Sequence, residues 1–376
     1  MILTESPLSE VPIAIGIGGK IPKTEGIKYA GSKLKLLPYI FEIVGQLEGV
    51  DSVLDGFSGS TRVSQAFAQL GYSTTSSDIS VWSEVFATCY LIANKSDVFY
   101  QDKIDYLNNL QGIDGWFTEN YGGAVTDIKK PFQNKNTQKL DAIRSEIDAM
   151  DLLWEDKCVL LTSLILALDK VDNTLGHYVA YLSDWSARSF KEILLKLPQR
   201  YTTSGNNCVI RADIFKTVEN KRFDLVYFDP PYGSNNEKMP PSRVRYGAYY
   251  HLWTTIIQND KPAIFGKANR REDSRDNVSA SVFEEFRKNE SGDFMAMEAL
   301  RKLICQTNTR YLMLSYSSGG RASKEQLMDI ISASGKLLDV KMIDYKKNVM
   351  SNMRSTSEWI NSDGKHNEYL FLMEKK

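Results

Sequence analysis

The amino-acid sequence predicts an α/β fold with a mostly parallel sheet. Short apolar, β-prone runs recur along the chain, and the first of them leads through a glycine-bearing turn into a helical pattern. Asp78, Asp213 and Asp229 lie at or just beyond the ends of successive runs. In a parallel sheet these acids gather on one edge, where open α/β sheets bind their ligands. The predicted strands that lead to this edge are 50–54, 72–77, 208–210 and 224–228.

The length and composition restrict the classes of function. A chain of 376 residues is long enough for one large domain with insertions or for two domains. Its 46 Lys+Arg balance 47 Asp+Glu, so a nucleic-acid surface would have to be a local patch. Four scattered cysteines and three histidines give no metal-ligand spacing, and we expect reduced thiols and no metal site. The apolar run 158–168 is too short to cross a membrane and no secretion signal is evident, so we expect a cytoplasmic protein.

The first segment with a candidate binding role follows an extended arm at 1–26, which is rich in proline and glycine. Tyr29-Ala30-Gly31-Ser32-Lys33 precedes an apolar-periodic run over 34–47. The start of a helix offers amide donors, and Lys33 adds a positive charge, so this turn suits a carboxylate or a phosphate. An ordinary capped helix with a solvated lysine is the alternative.

The glycine turn after the first strand is Asp55-Gly56-Phe57-Ser58-Gly59, and the helix after it has an apolar face. Small residues there let a cofactor approach the backbone. The spacing of the glycines does not fit G-x-G-x-x-G, which weakens a nicotinamide-binding interpretation. Asp78 stands at the tip of the second strand, about twenty residues further on, where ribose hydroxyls are usually bound. A helix N-cap is an equally good interpretation of Asp78 alone.

Two segments interrupt the predicted sheet. The first, 95–200, is mainly helical and contains a polar loop at 169–178. Lys170, Asn173 and His177 in this loop are candidates for contacts with DNA bases and phosphates, although an exposed connection explains them equally well.

The second interrupting segment, 233–300, alternates positive charges with aromatic rings, as expected of a surface that follows phosphates and stacks on bases. Its DNA-binding candidates are Arg243, Arg245, Tyr249, Tyr250, Arg270 and Arg271. The apolar face of a helix around 249–256 is the alternative. Beyond this segment the sequence predicts helices at 294–305 and 324–332 and strands at 311–316, 340–345 and 369–373.

Asp229-Pro230-Pro231-Tyr232 carries the strongest chemical signal, because two prolines make a stiff turn at the end of an apolar strand. An aromatic amine such as N6 of adenine is a poor nucleophile, since its lone pair is drawn into the ring. A carboxylate and a carbonyl that accept its N–H bonds would localise the lone pair as a new bond forms. Tyr232 is suited to stack on the base. A rigid turn with an incidental tyrosine remains an alternative.

In content and order these motifs resemble the D12-class, or Dam-like, α-group N6-adenine DNA methyltransferases, which use S-adenosyl-L-methionine (AdoMet). The matching motifs are Tyr29-Ala30-Gly31-Ser32-Lys33, Asp55-Gly56-Phe57-Ser58-Gly59, Asp213 and Asp229-Pro230-Pro231-Tyr232. The resemblance implies a Rossmann-like AdoMet-dependent methyltransferase sheet formed by 27–94 and 201–376, with 95–200 as a helical target-recognition insertion. The chain departs from the family at Thr61, where a Gly-Ser-Gly pattern often continues the turn.

The resemblance also implies a role for each motif. Lys33 and its neighbouring backbone would hold the methionine end of AdoMet, beside the glycine turn, while Asp78 would bind the ribose hydroxyls and Asp213 the adenine amine of the cofactor. Asp229 and the Pro230 carbonyl would accept from N6 of an adenine rotated out of double-stranded DNA, with Tyr232 stacked on that base.

The implied function is site-specific adenine methylation of double-stranded DNA in a restriction-modification or related system. Whether a cognate restriction endonuclease exists as a separate chain is left open. The rival functions are methylation of cytosine N4, of an RNA adenine or of a glutamine side chain, and a non-catalytic DNA-binding subunit with the same fold.

Overall fold

The computed structural model of the protein describes most of the chain. The described residues are 21–126, 130–233, 245–279, 281–344 and 367–375. Arg243 and most of the predicted arm at 1–26 lie outside these residues.

The centre of the fold is a seven-stranded sheet in the order β6-β7-β5-β4-β1-β2-β3. Strands β1 to β5 run parallel to one another, whereas β7 is antiparallel to both of its neighbours. The strands are β1 (Ser52–Asp55), β2 (Ser73–Asp78), β3 (Cys208–Arg211), β4 (Arg222–Phe228), β5 (Asn308–Ser317), β6 (Gly335–Asp344) and β7 (Asn367–Lys375). The predicted α/β fold with a mostly parallel sheet is confirmed.

Helices cover both faces of the sheet and form a separate layer between β2 and β3. They are α1 (Leu37–Val44), α2 (Arg62–Gln69), α3 (Val81–Ala87), α4 (Asp97–Asn109), α5 (Trp116–Tyr121), α6 (Asn134–Ala149), α7 (Trp154–Asp169), α8 (Ile214–Val218), α9 (Tyr246–Tyr249), α10 (His251–Gln258), α11 (Asp276–Ser279), α12 (Met295–Gln306) and α13 (Lys324–Ser334). A π-helical turn, Thr88–Ile92, continues α3, and short 3₁₀ turns include Lys33–Lys35 and Val282–Glu284.

Successive side chains along a strand point to opposite faces of the sheet. The central strands therefore bury apolar side chains on both faces. Val53 and Leu225 point to the face covered by α1 and α2, while Leu54 and Val226 point to the face covered by α8, α12 and α13. All four side chains are fully buried. This packing holds the ends of β1, β2, β3 and β4 together at one edge.

The helices between β2 and β3 have a hydrophobic core of their own. It is formed by α3 to α7 and is joined by α10, whose Trp253 and Ile256 are buried in it. Part of the second predicted insertion, 233–300, therefore packs on the first.

Candidate active site

A cavity of about 480 Å³ opens at the carboxyl edge of the parallel strands. Several residues that the sequence analysis assigned to the cofactor or to catalysis line it. These are Tyr29, Gly56, Phe57, Gly59, Asp78, Asp213, Asp229 and Pro231. The three strand-end acids thus meet at one cavity, although they are far apart in the sequence.

The turn after β1 passes close to other groups, which explains its glycines. A Cβ atom on Gly56 would lie 2.6 Å from the Phe228 ring. Gly59 has a left-handed φ of +48°, and its N–H donates to Asp78 Oδ2 at 2.9 Å. Thr61 stands where a Gly-Ser-Gly pattern would have glycine, and it too is left-handed, with φ +61°. Its N–H donates to the Ser58 carbonyl at 2.6 Å, so the turn keeps a glycine-like path with a threonine.

Asp78 links the glycine turn to the start of α3. Its Oδ2 accepts from Gly59, and its Oδ1 accepts the Ser80 N–H at 2.9 Å. The next residue, Ile79, lines the cavity with 71% of its surface exposed, which is unusual for a large apolar side chain. The acid and the exposed apolar group together suit a ligand with polar and flat apolar parts.

Asp213 caps α8, because its Oδ1 accepts the Phe215 N–H at 2.9 Å. The carboxylate is exposed on the cavity wall. Phe283, across the cavity, stacks on Phe215 with ring centroids 6.0 Å apart and meets Phe57 edge-on at 5.2 Å. Apolar rings therefore flank this end of the cavity.

Asp55 and Ser58 do not line the cavity, whereas Gly56 and Gly59 do. Asp55 is 1% exposed, and its Oδ2 accepts from the Ser64 hydroxyl at 2.6 Å. Burial raises the pKa of Asp55 to about 7. The Ser58 hydroxyl is buried against Ser77 and Ser83. Both side chains therefore have structural roles behind the turn, and a cofactor beside the turn would meet its glycines and Phe57.

Asp229 lies directly after β4, with its side chain 14% exposed. Its Oδ2 is 2.7 Å from Lys33 Nζ, and its Oδ1 accepts from the Tyr232 hydroxyl. The Lys33 ammonium also donates to the Gly31 carbonyl at 3.0 Å. Burial raises the pKa of Asp229 to about 6, although the Lys33 charge acts to lower it. Lys33, expected to hold the cofactor, thus pairs with the expected catalytic acid.

The Tyr232 side chain is anchored through its hydroxyl. Besides Asp229, it contacts the Glu368 carboxylate and lies 3.2 Å from Ser315 Oγ. The ring packs against Tyr316, at a centroid distance of 4.8 Å, and Lys33 Nζ lies 5.1 Å from its centroid. Pro230 is buried and Pro231 lines the cavity, so the turn presents one proline inward and one outward.

A family model described as D12 class N6 adenine-specific DNA methyltransferase matches residues 29–328. The chain belongs to this family. Modification methylase StsI of Streptococcus sanguinis is 30% identical over 93% of this chain and 52% of its own length. Type II methyltransferase M.NlaIII of Neisseria lactamica is 27% identical over 93% of this chain and 99% of its own length. M.FokI of Planomicrobium okeanokoites is 25% identical, again over 93% of this chain but 53% of its own. The chain thus spans about half of StsI and M.FokI.

In this D12-class protein Tyr29 forms one wall of the cavity within a stack of three rings. The Tyr250 ring is 4.6 Å away and nearly parallel, and Tyr246 lies on the stack at 5.5 Å. The Ala30 N–H donates to the Tyr250 hydroxyl at 2.7 Å. Tyr250 is 0% exposed, so it supports the wall and has no surface to offer to DNA.

Three further DNA-binding candidates of this methyltransferase-family chain are also structural. Asn173 is 1% exposed, and its side-chain oxygen accepts the Ser186 N–H at 2.9 Å. Arg271 is 4% exposed and makes a paired contact with Asp260 at 2.6 and 2.7 Å. Arg245 is 7% exposed and lies 3.6 Å from Glu284. Buried contacts made in the fold, which the sequence alone does not show, give these three side chains structural roles.

The remaining DNA-binding candidates differ in how far their side chains are exposed. Lys170 is exposed after α7. His177 and Tyr249 are half-buried and pack ring against ring at 4.6 Å. Arg270 is half-buried, and its guanidinium lies 5.0 Å from the Phe265 ring centroid. These four side chains reach the surface to some degree and stay DNA-binding predictions.

Glu368 is a site residue that the sequence analysis missed. It is 7% exposed, accepts from Ser315 Oγ at 2.9 Å and lies 3.5 Å from Lys33 Nζ. An acid just before the apolar run of β7 was a usable signal, because the first residues of an antiparallel strand reach the edge where parallel strands end.

No helix in the described part of the chain combines the length and the apolarity that a membrane span requires. Nor do the described residues contain a group of three or more acidic, histidine or cysteine side chains arranged to hold a metal ion.

Proposed function

We propose that the protein is an AdoMet-dependent methyltransferase that modifies N6 of adenine in double-stranded DNA. The observation that carries the proposal is the position of Asp229, on the wall of the same cavity as the glycine turn, Asp78 and Asp213. A methyl acceptor held by Asp229 and a donor held by the turn would then lie side by side.

The cavity fits AdoMet in its chemistry. Asp78 supplies a carboxylate at the tip of β2 for ribose hydroxyls, and Asp213 supplies one for an adenine amine. Ile79 and Phe57 offer apolar surface for a flat base. When bound, AdoMet supplies an electrophilic methyl group on a positively charged sulfur. The backbone of the glycine turn and the tyrosine wall at Tyr29 would hold its methionine end.

Asp229 is the group that acts on the target amine. Its carboxylate would accept an N6–H bond, which keeps the nitrogen lone pair out of the ring and directs it to the methyl group. In this structure the Lys33 ammonium donates to Asp229 Oδ2 at 2.7 Å, where a target amine would donate. A base whose amine takes this position would displace Lys33 from Oδ2.

Tyr232 would fix the base beside Asp229. Its hydroxyl is tied to two carboxylates, so the ring has little freedom to rotate. A rigid aromatic face orients a planar base at a small entropic cost. The Pro230 carbonyl is the proposed second acceptor for the amine.

The DNA surface proposed here consists of Lys170, His177, Tyr249 and Arg270, in the helical layer and the segment that packs on it. Adenine would rotate out of the duplex into the cavity, since N6 is not accessible to Asp229 inside the stack. The helical insertion 95–200 is the proposed target-recognition unit.

A restriction-modification setting is the biological context that we propose. It is supported by the names of the relatives, one a modification methylase and two type II methyltransferases. A cognate restriction endonuclease encoded as a separate chain would be the partner, and a DNA substrate implies a cytoplasmic location.

Incubation with methyl-labelled AdoMet and unmethylated bacterial genomic DNA, followed by digestion to nucleosides, tests the proposal. The label is expected in N6-methyldeoxyadenosine. Label in N4-methylcytosine, or only in RNA or protein offered in parallel, would replace adenine as the target. An absence of AdoMet binding would favour a non-catalytic DNA-binding subunit.

A further inference from the structure

Glu368 reaches the active site from an unexpected direction. Strand β7 runs antiparallel to β5, and Glu368 pairs in register with Ser317 at the end of that strand. The start of β7 therefore lies at the same edge as the end of β4, from which Asp229 projects. Glu368 lies beyond residues 29–328, the range that the family model matches.

Two carboxylates share the same two partners in this cluster. The Tyr232 hydroxyl contacts both Asp229 and Glu368. Lys33 Nζ is 2.7 Å from Asp229 Oδ2 and 3.5 Å from Glu368 Oε1. The side chains of Lys33 and Glu368 are 8% and 10% exposed, so water can do little to replace either partner.

Displacement of the Lys33 ammonium from Asp229 costs free energy, and the Glu368 carboxylate offsets that cost. When a target amine takes the place of Lys33 at Asp229 Oδ2, the Lys33 ammonium moves away from its nearest carboxylate. The loss of a carboxylate contact is unfavourable for a buried charge. Glu368 already lies within 3.5 Å, so a small movement of the ammonium restores a full ion pair.

We propose that Glu368 is a positioning residue for methyl transfer, which receives the Lys33 ammonium when the target amine binds Asp229 and anchors the Tyr232 hydroxyl throughout. This inference rests on the proposed function. It assigns Lys33 two positions, one on Asp229 before the base enters and one on Glu368 afterwards.

The test compares Glu368→Gln, Glu368→Asp and Glu374→Gln with the wild-type protein. Glutamine keeps an oxygen that can accept from Tyr232 and Ser315, but it lacks the charge that Lys33 needs. Glu374 is a matched control on the same strand, because its side chain is 38% exposed and pairs with Arg310 at 3.5 Å. Single-turnover transfer from labelled AdoMet to unmethylated bacterial genomic DNA is measured from pH 5 to 9, with AdoMet affinity and the unfolding temperature alongside.

Glu368→Gln is expected to lower the transfer rate at least about tenfold at pH 8, because a misplaced partner at the reacting centre is costly. AdoMet affinity and unfolding temperature should stay near those of the wild type. Glu368→Asp, which keeps the charge, should recover part of the rate, and Glu374→Gln should leave it within about twofold.

The pH profile supplies a readout that a purely structural role would not move. The Glu368 charge acts to raise the pKa of Asp229, so its removal should shift the acid limb of the rate to lower pH. The ionisable groups that surround Asp229 are Lys33, Asp55, Tyr227, Tyr232, Tyr246 and Glu368.

Two results would overturn the inference. Wild-type rates in Glu368→Gln across the whole pH range would show that the charge is not used. An equal loss at every pH with a lower unfolding temperature would give Glu368 a structural role alone. A wild-type protein that binds AdoMet but methylates no DNA would instead overturn the proposed function, on which the inference depends.

Discussion

Two clusters of charged side chains, each built around a lysine near the start of the described chain, have opposite relations to the cavity. The open cluster consists of Lys33, Asp229, Glu368 and Tyr232, and its Asp229 lines the cavity. The sealed cluster consists of Lys28, Asp169, Asp172 and Arg188, and none of these four residues lies in the cavity wall.

The sealed cluster uses its charges to join distant segments. Asp172 is fully buried and contacts Lys28, Arg188 at 3.1 Å and the Thr174 hydroxyl. Asp169 accepts the Lys28 N–H at 3.0 Å, and burial raises the pKa of Asp169 to about 7. The polar loop that the sequence suggested for DNA contact is thus fastened to the segment that precedes Tyr29.

The two clusters differ in net charge. With the basic side chains and the carboxylates ionised and Tyr232 neutral, the sealed cluster has two positive and two negative charges, so its net charge is zero. The open cluster has one positive and two negative charges, which leaves one in excess beside the cavity. A neutral cluster with matched partners holds a structure together, whereas an excess negative charge is suited to stabilise a cationic ligand or transition state.

The largest expected effect on stability is in the sealed cluster. Asp172→Ala should lower the free energy of unfolding by about 2 kcal/mol, because it removes the fully buried carboxylate that contacts Lys28, Arg188 and the Thr174 hydroxyl. Urea denaturation at pH 8 measures this, with Asp102→Ala on the exposed side of α4 as the control. A loss no larger than that of the control would mean that the cluster does not hold the loop.

The open cluster should instead govern the pH dependence of the reaction. Asp229 must be ionised to accept from the target amine, and its pKa is about 6, so kcat/KM should rise with pH through about 6. The value at pH 5 should be about tenfold below that at pH 8. Asp169→Asn should leave the rise of kcat/KM with pH in place. If the rise disappears in this variant, the group that titrates belongs to the sealed cluster.

Substitution of Gly59 tests how closely the cavity wall fits its ligand. Gly59→Ala should weaken AdoMet binding about tenfold, because the backbone is left-handed there and the new Cβ would lie 3.0 Å from the Tyr29 ring. Gly292→Ala is the matched control, since Gly292 is also left-handed but has nothing within 4 Å of the added atom. Both variants should lose about 1 kcal/mol of stability. Equal AdoMet affinities in the two would contradict this account of the wall.

The smallest effect is expected at the DNA surface. Lys170→Ala should weaken DNA binding a few-fold and lower the slope of log K against log salt by about 1. Lys221→Ala is the control, because Lys221 is exposed just before β4 and hence at the opposite edge of the sheet. Identical salt slopes for the two variants would remove Lys170 from the DNA surface.

The strands and the edge at which they end could be predicted from the sequence, because short apolar runs and the acids at their ends are local patterns. Asp78 and Asp213 line the cavity at the ends where the pattern put them. Thr61 shows the limit of motif matching, since it adopts the left-handed conformation expected of the glycine it replaces.

The local sequence pattern did not reveal which partners the polar residues have in the folded protein. Asn173 and Arg271 have the residue types of a DNA surface but are buried, with their polar groups bound to Ser186 and Asp260. Glu368 was not predicted because it stands at the beginning of an antiparallel strand, which lies at the same edge as the ends of the parallel strands. The sequence assigned no partner to the Tyr232 hydroxyl, which is bound by Glu368 from far along the chain.

The most direct test of the whole account is Asp229→Asn, compared with the wild type for both AdoMet affinity and methyl transfer to DNA at pH 8. AdoMet should bind with an affinity within about threefold of the wild-type value, while transfer should fall about 10³-fold, because the amide replaces the anionic acceptor with a neutral group. Full incorporation of labelled methyl groups by this variant would contradict the central role of Asp229.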